Sequence, residues 1–298
     1  MKRGKSSEKP TIAIIAGSGL YQMEGLTNVE EVRVGTPFGQ PSDALVIGDL
    51  EGTRVAFLAR HGRHHRLSPS EINYRANIYA LKKIGAERIV SVSAVGSMKE
   101  SLQPGQVVIP HQFLDQTKRR VSTFFENGVV AHVALADPVC PDVAEKLAQA
   151  VRKSGGTVHV GGSYLCIEGP QFSTRAESMV YRQWGVDVIG MTNLPEAKLA
   201  REAELCYATM ALVTDYDCWH TGHETVTVEG VIATLHRNVA LSRQVIRTVV
   251  PSLIGGRHCA CATALASAVI TSRIAPRARQ RLHLLLGAGA KKKDVTDS

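Results

Sequence analysis

No stretch of this 298-residue chain is long and apolar enough to cross a bilayer: runs such as residues 11–16 and 55–59 stop far short of the ~20 residues a spanning helix requires. No membrane partner is expected. The opening MKRGKSSEKP is basic but lacks the apolar region and small-residue cleavage site of a secretory signal, so a cytoplasmic location is expected. Missing too are any C-x-x-C pair and the His spacing of a zinc site. The six cysteines, Cys140, Cys166, Cys206, Cys218, Cys259 and Cys261, are scattered, and no metal is expected. Only Cys259 and Cys261 lie close, either as small residues opening an Ala-rich helix or as a redox-active, strained disulfide. Internal repeats and low-complexity linkers are also absent, so one domain is the economical reading. It spans residues 11–254, after a flexible N-terminus (1–10) and before a helical extension (255–287) and a flexible basic tail (288–298).

What is present is ordinary globular composition, 44% apolar and 21% charged, with length enough to bury a large core. The net charge of +8 raises a nucleic-acid hypothesis, but its distribution argues otherwise. From Arg237 onward there are 11 Lys/Arg against 2 Asp/Glu, and before it 24 against 25. A basic excess confined to the tail reads as a solvated helix face and a frayed end, and no specific nucleic-acid partner is expected. Short β-branched runs recur: TIAIIA, ALVIGDL, RVAFLA, RIVSVSA, QVVIP, SYLCIEG, VDVIGM and CYATMALVTD. Helix-like segments separate them at 71–83, 143–153, 175–184 and 196–203, which indicates an α/β domain with a central sheet. The strands are nearly continuous in apolar residues, as burial on both faces demands. Pro141-Asp142 starts the second helix and Gly155-Gly156 stops it.

In open α/β sheets ligands bind beyond the carboxyl ends of the strands, so the polar residues that follow each apolar run are the first site candidates. TIAIIA runs into Gly17-Ser18-Gly19, either an anion cradle of backbone N–H groups and one hydroxyl or a plain tight turn. Gln22 stands where a dinucleotide fingerprint needs its third glycine, which sets a dehydrogenase aside. RVAFLA ends in Arg60-His61-Gly62-Arg63-His64-His65, a guanidinium and imidazoles suited to give a phosphate charge-assisted donors; alternatively Arg60 pairs an acidic neighbour. RIVSV ends in Ser93-Ala94-Val95-Gly96-Ser97, a further hydroxyl at a glycine-containing turn. Phe172 follows a rigid Gly-Pro turn, where its ring either stacks on a planar base or fills core beneath a loop. CYATMALVT runs into Asp215-Tyr216-Asp217. Two carboxylates at a buried strand end need a neutralising partner, unless one merely caps the next helix.

Taken together, GSG after the first strand, TPFGQPSDAL (36–45), ARHGRHH (59–65), NYRANIYALK (73–82), EGPQFSTRAES (168–178), MTNLPEA (191–197) and TDYDCW (214–219) resemble the methylthioadenosine phosphorylase family over residues 11–253. The resemblance implies a twisted mixed sheet flanked by helices, of the purine nucleoside phosphorylase kind, assembled as a homotrimer or a hexamer with each site near a subunit boundary. It implies a phosphate site of Ser18, Arg60, His61, Ser93, Ala94 and Thr192. Phe172 would stack near base and sugar, and Met191 would pack on the ribose. Asp215 and Asp217 would face the purine, supported by Ser173 and Thr214. His132, Val228, Val231 and Leu235 would line the 5′ pocket, with Leu282 and Leu286 as candidates to close it from a neighbouring subunit. The family's eukaryotic members carry threonine where this chain has Ser18 and Ser93, a change that keeps the hydroxyl, and asparagine where it has Gly190.

The implied reaction is phosphate-dependent cleavage of 5′-methylthioadenosine to adenine and 5-methylthioribose 1-phosphate, a step of purine and methionine salvage with phosphate as co-substrate and no cofactor. Phosphorolysis of an N-glycoside passes through a ribosyl-cation-like transition state. An Asp215 carboxyl whose pKa is raised by burial and by Asp217 would give or share a proton at N7 and accept from the 6-amino group. Relatives that prefer 6-oxopurines usually place asparagine at the Asp215 position and glutamate near Ser173, so a 6-aminopurine is expected here. The competing readings are a broader phosphorylase acting on adenosine, inosine or methylthioinosine, and a nucleic-acid-binding module that uses the anion cradles and basic tail.

Overall fold

The computed structural model describes residues 9–17, 20, 23–220 and 228–286. Its strands are β1 (Ile12–Ala16), β2 (Thr27–Val32), β3 (Leu45–Leu50), β4 (Thr53–Ala59), β5 (Arg88–Ser97), β6 (Val107–Ile109), β7 (Gln112–Gln116), β8 (Val158–Val160), β9 (Ser163–Ile167), β10 (Val188–Gly190) and β11 (Cys206–Asp215). Its helices are α1 (Tyr74–Ile84), α2 (Pro141–Lys153), α3 (Arg175–Gln183), α4 (Asn193–Glu202), α5 (Val228–Ser252) and α6 (Pro276–Leu286). The strands form one mixed sheet ordered β2-β3-β4-β1-β5-β10-β9-β7. β5 carries β11 as a further neighbour, and β11 leads on through β6 to β8. The expected α/β class and mixed sheet are borne out.

Burial on both faces explains the apolar runs. In β1, Ile12, Ile14 and Ala16 join the core formed with α2 and α5, while Ala13 and Ile15 join the one formed with α1, α4 and α6. The helix signals act as read. Asn73 accepts a hydrogen bond from the Ala76 N–H and so starts α1 three residues later than the expected 71, and Gly85 ends it in the left-handed region at φ 107°. Pro141 opens α2. Thr174 and Glu177 form a reciprocal capping box on α3.

Four elements were not anticipated. β2 is polar and exposed, β7 and β8 are short, and α5, 25 residues long, follows the last strand. The segment after 255 is not one helix. It makes a 3₁₀ turn at Ala260–Thr263, bridges Val269 to Ala131, and becomes helical again only in α6, whose Ala278, Leu282 and Leu285 enter the core. No described helix is long and apolar enough to cross a membrane.

Candidate active site

β1, β4, β5 and β11 run parallel, so their carboxyl ends open on one side of the sheet. Beyond them lies a cavity of about 790 Å³. Arg60, His61, Ser93, Ala94 and Thr192 line it, as do Phe172, Ser173, Met191, Thr214, Asp215 and Asp217. Ser18 lies outside the described residues. Val228, Val231 and Leu235 stand on α5, whose Ile232 reaches the cavity, but their side chains are outside the described part. His132 is exposed and lies outside this chain's own cavity, with its N–H bonded to the Ala268 carbonyl (2.8 Å) beside the Ala131–Val269 bridge. One expectation is corrected. Leu282 is fully buried in the chain's own core, and Leu286 packs against that core, so Leu282 is not free to close another subunit's pocket.

At one end of the cavity both readings of Arg60 hold at once. Its guanidinium, 1% exposed, forks onto the equally buried Glu196 (Nε to Oε2 2.8 Å, Nη2 to Oε1 3.0 Å). Nη1 donates to the Val92 carbonyl (2.8 Å) and Nη2 to Ser91 Oγ (2.6 Å). Those bonds use four of the five N–H donors of a guanidinium, which leaves one on Nη1 for a ligand. Burial works against the charge of Arg60, but Glu196 outweighs it and holds the group protonated. Ser91 Oγ and Tyr207 Oη complete Glu196 (2.9 Å each).

His61 departs from the sequence reading of a charged donor. Burial, then the charge of Arg60, pushes it down to about 3, so the ring is neutral at physiological pH. Its Nδ1 lies 2.9 Å from the Leu67 carbonyl, which can only accept, so Nδ1 carries the proton and Nε2 remains an acceptor. Ser93 Oγ lies 3.3 Å from Thr192 Oγ1 and 3.2 Å from Tyr164 Oη, a group of hydroxyls able to turn toward an anion. Ser93 is not at a turn: β5 continues to Ser97 because it keeps pairing β11 and then takes up β10 at Gly96 and Ser97.

The other end is built on the two carboxyls. Asp215 Oδ1 accepts from the Asp217 N–H and Oδ2 from Thr214 Oγ1, both at 2.7 Å. Asp217, held at φ 51°, accepts from the buried Ser178 hydroxyl. Burial raises both carboxyls above their ordinary range, and for Asp215 the neighbouring Asp217 adds to the effect. Neither caps a helix, since the described residues that follow them, 216–220, form a turn and not a helix. Ser173 Oγ is buried with no hydrogen-bond partner among the described residues, which leaves it open to a ligand. Phe172 is 43% exposed at the cavity wall rather than filling core, which favours the stacking reading. A Cβ at Gly96 would come within 2.8 Å of Asp215 Oδ1, so this glycine makes room for the carboxyl.

Sequence reasoning missed the residues that hold this wall in place. Arg120 Nη1 donates to the carbonyls of Met191 and Leu194 and its Nη2 to that of Glu168, each at 2.6 Å, tying the 168–173 loop to the start of α4. Glu168 in turn accepts from Ser70 Oγ and from the Lys118 and Arg119 N–H groups, which hold its carboxyl below the ordinary range in spite of burial. Tyr164 explains Gly190: a Cβ there would fall on the Tyr164 hydroxyl. None of these carries a local sequence signal. Away from the cavity, four of the scattered cysteines come together.

Comparison with known proteins agrees with this arrangement. The model of the phosphorylase superfamily matches residues 11–251. The chain is 57% identical over 280 residues to S-methyl-5′-thioadenosine phosphorylase of Geobacter sulfurreducens, covering 93% of this chain and 98% of that protein. It is equally identical over 278 residues to the protein of the same name from Koribacter versatilis (93% and 95%). Among solved structures it resembles a methylthioadenosine phosphorylase from an Antarctic soil metagenomic library (TM-score 0.88, 52% identity, covering 94% and 99%). It also resembles the Schistosoma mansoni methylthioadenosine phosphorylase in complex with adenine (TM-score 0.79, 38% identity, 82% and 92%).

Proposed function

The chain belongs to the phosphorylase superfamily as an enzyme of the pentosyltransferase type, and we propose that its cavity splits 5′-methylthioadenosine with phosphate into adenine and 5-methylthioribose 1-phosphate. The observation that carries this reading is the pairing, in one cavity, of a donor-rich end at Arg60, Ser93 and Thr192 with two carboxyls at Asp215 and Asp217.

In the proposed reaction the sugar lies between the two ends. Phosphate is held by the remaining Nη1 donor of Arg60, by the hydroxyls of Ser93, Thr192 and Ser18, and by backbone at Ala94; the neutral His61 accepts from a phosphate hydroxyl. A phosphate oxygen forms its bond to C1′ as the C1′–N9 bond breaks, and the electron pair of that bond goes to the purine. Asp215, whose burial makes its carboxyl hold a proton more tightly than an ordinary one, gives that proton to N7 so that adenine leaves neutral, and solvent protonates it again. Asp217, Ser173 and Thr214 keep the purine in register, Phe172 stacks against base and sugar, and Met191 packs on the ribose. Leu67, Pro69 and Ile232 give the wall an apolar side suited to a 5′-methylthio group. Phosphate is a co-substrate, and no step calls on a further cofactor.

The enzyme would act in the cytoplasm, in purine and methionine salvage, as a homotrimer; His132, exposed and outside its own cavity, is then available to a neighbouring subunit. The test mixes purified protein with methylthioadenosine and follows free adenine with and without phosphate, with adenosine and inosine in parallel. Phosphate-dependent release, fastest from methylthioadenosine, is expected. A preference for inosine would move the chain to a broader phosphorylase, and no turnover would overturn the reading.

A further inference from the structure

Cys140, Cys206, Cys259 and Cys261 come from three separate parts of the chain, yet their sulfurs all lie within 4.8 Å of one another. Cys140 precedes α2, Cys206 opens β11, and the other two flank Ala260 at the 3₁₀ turn. Cys140, Cys206 and Cys261 are buried and Cys259 half-buried, and none of the four lines the cavity.

We propose that these four thiols form a structural tetrathiolate site for a zinc ion, which fastens the C-terminal segment to the sheet.

The separations suit it. With zinc–sulfur bonds of about 2.3 Å, a tetrahedral site spaces its sulfurs about 3.8 Å apart; here Cys206 and Cys259 are 3.3 Å apart and no pair exceeds 4.8 Å. Backbone anchors, rather than contacts among the sulfurs, bring the segments together. Arg88 Nη2 donates to the Gly255 and Gly256 carbonyls (2.9 Å each), and Arg257 Nη1 to that of Glu204 (2.6 Å), just before the C-x-C turn. Beyond the turn the Leu265 N–H donates to Glu204 Oε1 (3.0 Å), and at the other wall the Cys140 N–H donates to the Tyr207 carbonyl (2.8 Å). Cys140 also occupies the N-cap of α2 without capping it by its side chain, so its sulfur sits at the positive end of that helix, where a thiolate is favoured. Four small hydrophobes would satisfy the core equally well one at a time; convergence of four thiols on one centre is what a thiophilic ion requires. Binding converts four thiols to thiolates and releases their four protons, without any redox change, and its free energy adds to that of folding.

The full chain, purified anaerobically under reducing, chelator-free conditions, is expected to carry one zinc per chain by elemental analysis. Cobalt(II) in its place should give the thiolate charge-transfer and d–d bands of a tetrahedral tetrathiolate. Cys261→Ser and Cys140→Ala should abolish both while phosphate-dependent nucleoside cleavage persists, and if a variant fails to fold, the cobalt spectrum of the unaltered chain still decides. Absence of zinc together with no cobalt bands after reconstitution overturns the proposal. So does a denatured, unreduced chain whose mass is short by two hydrogens per pair, which would show that these cysteines form disulfides instead. Neither readout depends on the identity of the nucleoside.

Discussion

Replacing Asp215 by asparagine changes a single heavy atom and tests the chemistry of the proposed base-facing end. In the unaltered protein Oδ1 accepts from the Asp217 N–H and Oδ2 from Thr214 Oγ1. The amide fits the same place in one orientation only: its oxygen must face the Asp217 N–H, so its nitrogen faces Thr214. The threonine hydroxyl can then accept, because it has the Val95 carbonyl (3.2 Å) to donate to. The fold is therefore kept, but a carboxyl placed to give a proton to N7 and accept from a 6-amino group would become an amide whose nitrogen can only donate where Oδ2 accepted. Each buried mismatched polar contact costs about 1–3 kcal/mol. Two of them amount to about 2–6 kcal/mol, roughly a thirtyfold to ten-thousandfold loss in kcat/KM for the 6-amino substrate. For the 6-oxo analogue the new donor is complementary, so its share of the loss is smaller. Measuring kcat/KM for methylthioadenosine and methylthioinosine with both proteins gives the ratio directly. A variant whose preference for the 6-amino substrate is unchanged, whatever its rate, refutes the placement of Asp215 against the purine.

The pH profile tests the same carboxyl. Burial raises Asp215 and Asp217, so kcat/KM should fall as pH rises through the raised value, a limb that Asp215→Asn should remove. The folded state binds these protons more tightly than the unfolded chain does, so the stability they contribute is largest at acid pH and is lost as pH rises from the ordinary carboxylate range through the raised one. Urea titrations of the Asp215→Asn, Asp217→Asn double variant should show a shallower slope across that window. Glu196→Ala strands the buried Arg60 charge and should cost about 3–5 kcal/mol in denaturant unfolding; a loss below about 1 kcal/mol would mean that Arg60 is not held by this pair. Gly190→Ala drives a Cβ into the Tyr164 hydroxyl and should lower the unfolding free energy by about 1–3 kcal/mol through overpacking, whereas an unchanged midpoint would show that the Tyr164 ring is free to move.

Residues that follow an apolar run could be read from the chain because parallel strands deliver their carboxyl ends to one place. Arg60, Asp215 and Asp217 needed only the run before them and the rule about where such sheets bind ligands. Their partners could not be read that way. Glu196 lies 136 residues from Arg60 and in sequence resembles any charged residue in the first turn of a helix. Arg120 stands in a polar KRR stretch that gives no sign of a buried guanidinium spanning three carbonyls. The gathering of four cysteines could not be read from spacing, which reports only on groups folded from one local segment, whereas this cluster is drawn from three. His132 was placed by resemblance alone, with no residue pattern behind it, and among the described residues it lies outside the chain's own cavity.

The hidden partners also change what the legible residues can do. Read alone, Arg60 and His61 suggest a strongly cationic phosphate site. With Glu196 forked onto the guanidinium and the imidazole neutral, that end carries almost no net charge. An unpaired guanidinium at that depth would be costly to bury, and the pair avoids the cost while leaving one N–H of a cavity-lining residue outside those bonds. In the proposed phosphate site, selectivity would then rest on neutral donors, that N–H and the Ser93 and Thr192 hydroxyls held beside each other, rather than on a free cation. Donors whose oxygen and nitrogen positions are set before the ligand arrives need little reorganisation as positive charge builds on the sugar and negative charge on the departing purine. By this argument Arg60→Lys, which keeps the charge but cannot hold Glu196, Val92 and a ligand together, should raise the phosphate KM far more than it alters the KM for the nucleoside. Equal effects on both would show that Arg60 acts on the cavity as a whole and not on its phosphate end.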